Sequence, residues 1–384
     1  MMKIEREMTN VSSNTFRRRE KMNEIKIRDM TALAEHTDYL RKKPKLTYLF
    51  FELTNTCNLA CKHCGSSCKA TNKTFLPYED VVGVIDMVAD NYVPGEIMIC
   101  LTGGEPMMHP DFYSIASYAK SKGFSCGITT NGTMITKEAA KRIIDSGIES
   151  VMFSLDGLEK NHNWLRGSKT AFQDTVNGIK NLKDLNAQDC VIAATTVVHK
   201  KNISELNLLY DYIDRLGLDI WRLVNIEPIG RAETSEDLML KKEDYKFLLD
   251  FIKEKRFAKD KNMDVTFGCS HYTSLEYERM TRDTYFMCGS GIYVASILCN
   301  GDIYSCLDIE RREELVQGSI YTDNFIDVWE NRFEIFRQDR SAMCKECSEC
   351  SDRVFCQGDS THTWDFNKNL PKICLKKLLN EERE

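Results

Sequence analysis

Cys57-Asn58-Leu59-Ala60-Cys61-Lys62-His63-Cys64 places three thiols on one short loop, in a C-x3-C-x2-C spacing, directly after the β-rich run 48–53. Three thiolates can hold three irons of a cubane [4Fe–4S] cluster, which needs four for complete protein ligation, so one iron stays open to a small molecule. A structural zinc knuckle is the other use of such thiols. Coincidence is a weak competitor, because 16 Cys in 384 residues give about 0.03 chance matches to this spacing.

Outward from the loop, short apolar runs alternate with stretches of helical period. Strands are predicted at 48–53, 97–101, 124–129, 150–155, 191–198 and 219–226, and helices at 78–90, 112–122, 137–146, 172–185 and 204–216. Gly123, Gly147 and Gly217 stand where helix ends want a left-handed residue. Six β–α repeats with right-handed crossovers predict a parallel sheet curling toward a barrel. By analogy with complete barrels, chemistry belongs at the C-terminal strand ends, where the cysteine loop falls. Past about residue 262 the period changes to cysteines, polar turns and one helical pattern at 325–337.

Further motifs sit at the following strand ends. Thr102-Gly103-Gly104-Glu105-Pro106 offers two glycines for close backbone approach beside an anion suited to an ammonium group, or is simply a turn. Asn131 lies in an Asn-Gly turn and either shapes that turn or faces a cofactor. Ser154 and Asp156 project to one side of an extended segment, followed by His162, a hydrogen-bonding histidine, and Arg166, a planar fork for a carboxylate or a partner in a surface ion pair. Ile226 and Pro228 close the sixth strand. Near the C-terminus, Cys347-x2-Cys350-x5-Cys356-x17-Cys374 supplies four thiolates, enough for a fully ligated [4Fe–4S] cluster.

These motifs together resemble the radical S-adenosylmethionine (SAM) superfamily, and the C-terminal cysteines resemble its SPASM subgroup. The resemblance covers roughly residues 47–375. It implies an α/β fold, a partial (β/α)6 TIM-like barrel followed by a SPASM/twitch-like domain with one or two auxiliary [4Fe–4S] clusters. It implies that Cys57, Cys61 and Cys64 hold the reactive cluster, that SAM chelates its open iron, and that reductive cleavage yields a 5′-deoxyadenosyl radical. Gly103, Gly104, Glu105 and Pro106 then take the SAM amino group, Asn131 faces the cofactor, Ser154 and Arg166 take ribose and carboxylate, and Ile226 forms an adenine wall. No catalytic residue beyond the cluster is assigned. Cys288-x12-Gly301-x4-Cys306 fits the start of the SPASM pattern, but the thiol expected three residues beyond Cys356 is replaced by Ser360. Cys344 is the leading candidate to complete the first auxiliary site, with Cys269, Cys299, Asp359 and His362 as others.

Three regions follow: a basic extension at 1–46, a barrel at 47–262 and an auxiliary-cluster domain at 263–384. The extension carries 12 Lys/Arg against 7 Asp/Glu, a net of +5 that leaves −11 for the remainder of a chain whose total is −6. That acidic remainder disfavours nucleic acid. No run of 18 apolar residues and no apolar signal core occur, so a soluble cytoplasmic enzyme is expected, with thiols used for metal rather than disulfides. The resemblance implies modification of a ribosomally made precursor peptide, with a flavodoxin- or ferredoxin-type reductant and leader recognition by a separate protein, the barrel or the basic arm. A formylglycine-forming sulfatase maturase is one alternative, weakened by Ser360. A non-catalytic iron–sulfur or zinc scaffold is another, disfavoured by the Gly-Gly-Glu-Pro and Ser-Leu-Asp-Gly segments.

Overall fold

The computed structural model describes residues 26–259 and 261–380. Residues 1–25, most of the basic extension, lie outside the described residues. A helix at 26–42 (α1) precedes the sheet. Six parallel strands follow: β1 (Tyr48–Glu52), β2 (Met98–Thr102), β3 (Ser125–Thr130), β4 (Ser150–Ser154), β5 (Val191–Val198) and β6 (Ile220–Asn225). Between them run α2 (Tyr78–Asn91), α3 (Phe112–Ser121), α4 (Lys137–Asp145), α5 (Glu159–Arg166), α6 (Ala171–Lys183) and α7 (Leu206–Leu216). Only the short α5 lacks a counterpart in the sequence pattern, because eight residues of polar composition carry little apolar period.

Each strand pairs with its sequence neighbour, as right-handed βαβ crossovers require. Helix ends follow local chemistry. The Thr136 hydroxyl accepts from Ala139 N at 3.1 Å to cap α4, and Gly217 ends α7 at φ +70°. Helix faces such as Val81, Val84, Ile85 and Val88 of α2 are buried against the sheet, each side chain contributing about 1.5–3 kcal/mol.

The sheet does not stop where the hydrophobic period changes. After α8 (Lys242–Arg256), β7 (Asp264–Phe267) pairs in parallel with β6, and β8 (Val294–Ile297) pairs in parallel with β1. Two short antiparallel strands, β9 (Asp302–Tyr304) and β10 (Gly318–Ser319), extend that edge to ten strands. The expected helix at 325–337 is broken. It forms as Phe325–Asn331 and Glu334–Arg337, because Phe333 turns to φ +79° and buries its ring against Trp329 at 5.3 Å between centroids.

Gly178 tests this packing. A Cβ there would lie 2.5 Å from Gly132 O and 3.1 Å from Ile135 Cβ. Helix propensity alone favours alanine by about 1 kcal/mol. We expect Gly178→Ala instead to lose about 1–3 kcal/mol in denaturant unfolding, since the α6 backbone must lift off the Asn131 turn; a gain in stability contradicts this packing.

Candidate active site

The cysteine loop has no regular secondary structure, so its backbone groups need partners from its neighbours. Loops at the ends of other elements supply them. After β2, Gly104 N donates to Thr54 O at 2.7 Å and Glu105 N to Thr56 O at 2.9 Å. A Cβ on Gly103 or Gly104 would stand 2.5 Å from Thr54 O or 2.2 Å from Thr56 O, so only glycine permits this approach. After β3, Asn131 Nδ2 donates to Asn58 Oδ1 at 2.8 Å. At the end of α5, Leu165 O accepts from Lys62 N at 2.8 Å. After β6, Arg231 donates from N to Cys64 O at 3.1 Å, from Nε to Cys61 O at 2.6 Å and from Nη1 to Cys68 O at 2.9 Å.

Glu105 is fully buried and its carboxylate is spent on the next loop, accepting from Thr130 Oγ1 at 2.8 Å, Asn131 N at 2.9 Å and Met107 N at 3.3 Å. Burial raises its pKa against those hydrogen bonds. Arg166 is buried, not a surface residue: its Nη2 meets Asp156 Oδ2 at 2.6 Å and its Nη1 reaches Cys61 Sγ at 3.6 Å. Burial alone would raise Asp156, but Arg166 beside it brings the carboxyl down to about 2. Burial also pushes His63 down to about 4 and His162 down to about 3, so both are neutral near pH 7 and Arg166 is the cation that balances Asp156. His162 Nδ1 accepts from Asp156 N at 3.0 Å, a structural role.

Cys57, Cys61 and Cys64 open into one cavity of about 370 Å³, which Gly103, Gly104, Asn131, Ser154, Arg166 and Ile226 also line. Glu105 and Pro106 are buried behind its wall and do not face it. The donor set fits an iron–sulfur cluster. Leu59 N at 3.5 Å and Asn131 Nδ2 at 4.0 Å approach Cys57 Sγ, and Arg166 approaches Cys61, the N–H contacts that thiolate sulfurs of such clusters receive. Burial pushes the Cys57 thiol up to about 11, while the hydrogen bond from Cys68 brings Cys64 down to about 6. Among the described residues no three Cys, His or acidic groups converge as ligands of a single ion; thiols at the corners of a cubane stand farther apart than that.

The C-terminal thiols form a second group. Cys347, Cys350, Cys356 and Cys374 line a cavity of about 810 Å³, and Lys376 Nζ donates to Cys350 Sγ at 3.2 Å. Cys344 lines this cavity too, which corrects its expected place beside Cys288 and Cys306: it starts the short helix that carries Cys347. The residue near Cys288 and Cys306 is instead Cys269, just past β7: the Cys306 thiol is raised by burial first, then by Asp308, with Cys269 and Cys288 adding to it. Cys288 Sγ accepts from Thr361 N at 3.4 Å. Ser360 is buried and its hydroxyl donates to Ser270 O, so the position of the missing thiol serves as a strut between two loops. The cavity wall also contains Arg222, Glu227, Asp308 and His362, which sequence reasoning assigned no part in binding SAM. The available signal was alternation in β6, which puts Arg222 and Val224 on the cavity side and Trp221 and Leu223 in the core.

Two family models match the chain: the radical SAM superfamily over residues 51–213 and the SPASM iron–sulfur cluster-binding domain over residues 288–351. The chain belongs to the radical SAM superfamily and carries a SPASM domain, so a [4Fe–4S] cluster, SAM and auxiliary iron–sulfur clusters are its cofactors. It is similar to the AdoMet-dependent heme synthase of Nitratidesulfovibrio vulgaris, 28% identical over 84% of this chain and 90% of that one. It is also similar to the mycofactocin maturase MftC of Mycolicibacterium smegmatis, 28% identical over 81% of this chain and 76% of that one. Among solved structures, Streptococcus suis SuiB bound to S-adenosylmethionine shares the fold with a TM-score of 0.67 at 19% identity, over 82% of this chain and 73% of that one. No helix among the described residues is long and apolar enough to cross a membrane.

Asp156→Asn leaves Arg166 buried without its counter-charge. We expect a loss of about 3–5 kcal/mol in urea unfolding at neutral pH. Because the folded Asp156 pKa is depressed to about 2, the wild type's advantage is complete above the unfolded value of about 3.9 and fades as pH falls through about 2. A difference independent of pH across that window contradicts the pair.

Proposed function

We propose that this radical SAM enzyme modifies a ribosomally made peptide, abstracting hydrogen from it to form a thioether or carbon–carbon crosslink or a related oxidation or epimerisation. The observation that carries this reading is one cavity reached by the three loop thiols on one side and by Cys269 on the other. Cys57, Cys61 and Cys64 would hold the cluster at which SAM binds, and that pair would supply a 5′-deoxyadenosyl radical on one-electron reduction. The chain's own residues position it. Gly103 and Gly104 keep the wall free of side chains, Asn131 and Ser154 offer hydrogen bonds to the amino group and ribose, and Ile226 lies where an apolar base face packs. Arg166, already engaged by Asp156 and Cys61, acts as a positioning residue for the loop.

A volume of about 370 Å³ is near the low end for small-molecule pockets. That favours a cofactor plus a projecting part of a larger substrate, such as one side chain of a peptide. The mycofactocin maturase relatives support the same class. The heme synthase relatives, aligned over 90% of one such chain, favour a second reading in which the substrate is a tetrapyrrole presenting an edge group. Electrons would come from a flavodoxin- or ferredoxin-type protein, and leader recognition would fall to the N-terminal arm, the barrel or a separate protein. Cys347, Cys350, Cys356 and Cys374 would hold one auxiliary cluster, and Cys269, Cys288 and Cys306 three corners of another.

Anaerobic incubation with SAM and dithionite is expected to yield 5′-deoxyadenosine, and a short peptide encoded beside the gene is expected to lose hydrogen by mass on crosslinking or oxidation, or to take up solvent deuterium on epimerisation. Failure of the fully reconstituted protein to form 5′-deoxyadenosine would overturn the reading. Three cubanes give about 12 irons per chain, and Cys57→Ala is expected to remove about four and abolish SAM cleavage; a variant that keeps every iron contradicts the ligand assignment.

A further inference from the structure

Two arginines of the cavity wall, Arg222 and Arg231, form no ion pair among the described residues, and of these Arg222 is the one that makes no hydrogen bond from either terminal nitrogen. Arg166 is paired with Asp156, and Arg231 is spent on the carbonyls of Cys61 and Cys68. Arg222 donates only from Nε, to Thr195 Oγ1 at 3.2 Å, and forms no ion pair among the described residues. Its two terminal nitrogens are therefore left for the cavity it lines. A half-buried charge without a partner is costly, and a guanidinium fork is shaped for two parallel hydrogen bonds to a carboxylate.

Its place in the wall matters. Arg222 is level with Thr195 across the β5–β6 ladder, and Thr195 is level with Ser154 across β4–β5. On its other side Arg222 is level with Thr266 of β7, and Cys269 follows just beyond that strand. The side chain thus stands between the SAM end of the cavity and Cys269. Glu227 and Asp308 line the same cavity, and Glu227 Oε2 is itself buried without a partner. Both carboxylates oppose an added anion, so a group with a single negative charge meets less repulsion there than a doubly charged phosphate.

We infer that Arg222 anchors a carboxylate of the substrate, fixing which part of it lies between the cysteine loop and Cys269. This rests on the reading of the cavity as the substrate site and adds the substrate's chemistry: an acidic group close to the bond that reacts. A peptide C-terminus and an acidic side chain share that chemistry.

The test is protection of Arg222 from phenylglyoxal in the anaerobically reconstituted holoenzyme, read by peptide mass spectrometry with exposed Arg215 as the internal control. Three probes are used: N-acetylglycylglycine for a terminal carboxylate, N-acetylglutamic acid α-amide for a side-chain carboxylate, and N-acetylglycylglycinamide for neither. One or both acids are expected to slow modification of Arg222 roughly tenfold while the amide does not, as for a bidentate charged pair. Which acid protects identifies the source. Equal protection by the amide, no protection, or an Arg222 that does not react at all overturns the proposal. Iron counting on Arg222→Gln separates the competing role: loss of about one cubane's iron would make Arg222 the counter-charge of a cluster near Cys269 and also overturn it. A wild-type protein that shows acid-specific protection but forms no 5′-deoxyadenosine would sink the functional reading and leave the carboxylate site standing.

Discussion

The backbone of residues 54–68 carries three thiols but forms no helix or strand of its own, and everything at this site depends on how its carbonyls and amides are satisfied. Glycines at 103 and 104 let the β2 loop come within hydrogen-bond reach of Thr54 and Thr56, and Arg231 closes on the carbonyls of Cys61 and Cys68 from across the barrel. These contacts reach from strand ends far apart in sequence, so the loop's shape depends on the assembled sheet. Coupling the reactive loop to the closed fold keeps three sulfurs in one relation to the cavity without a helix or sheet beneath them.

The same constraint reinterprets two motifs. The Gly-Gly-Glu-Pro turn reads in sequence as a cofactor grip, yet Glu105 turns inward and holds Thr130 and Asn131, leaving the glycines at the cavity wall. Its anion works one step removed, by fixing the turn from which Asn131 reaches both Asn58 and Cys57. Arg166 likewise connects the cysteine loop to the buried Asp156, and the pair brings α5, the end of β4 and Cys61 together.

Strand and helix positions in the barrel were legible because their signals are local: period, capping residues and the glycines after helices. Cys347, Cys350 and Cys356, which spacing groups in the sequence, line one cavity in the fold. What spacing could not supply was pairing across the fold. Cys269 sits in a polar stretch with no motif, and only β7, placed next to β6 by the sheet, brings it toward Cys288 and Cys306. Cys344 was misplaced for the converse reason, since its neighbour in sequence is also its neighbour in space. Arg222 was hidden in an ordinary alternating strand, where a charge on the inner face of a barrel looks in sequence like any charge on an outer one.

The central claim is that the loop thiols hold a cluster with one iron open to SAM. Electron–nuclear double resonance on the dithionite-reduced protein, with SAM carrying 15N in its amino group, tests it most directly. A 15N hyperfine coupling to the cluster that disappears when SAM is omitted is the result this account predicts. A cluster signal unchanged by SAM, with no 15N coupling, would contradict it.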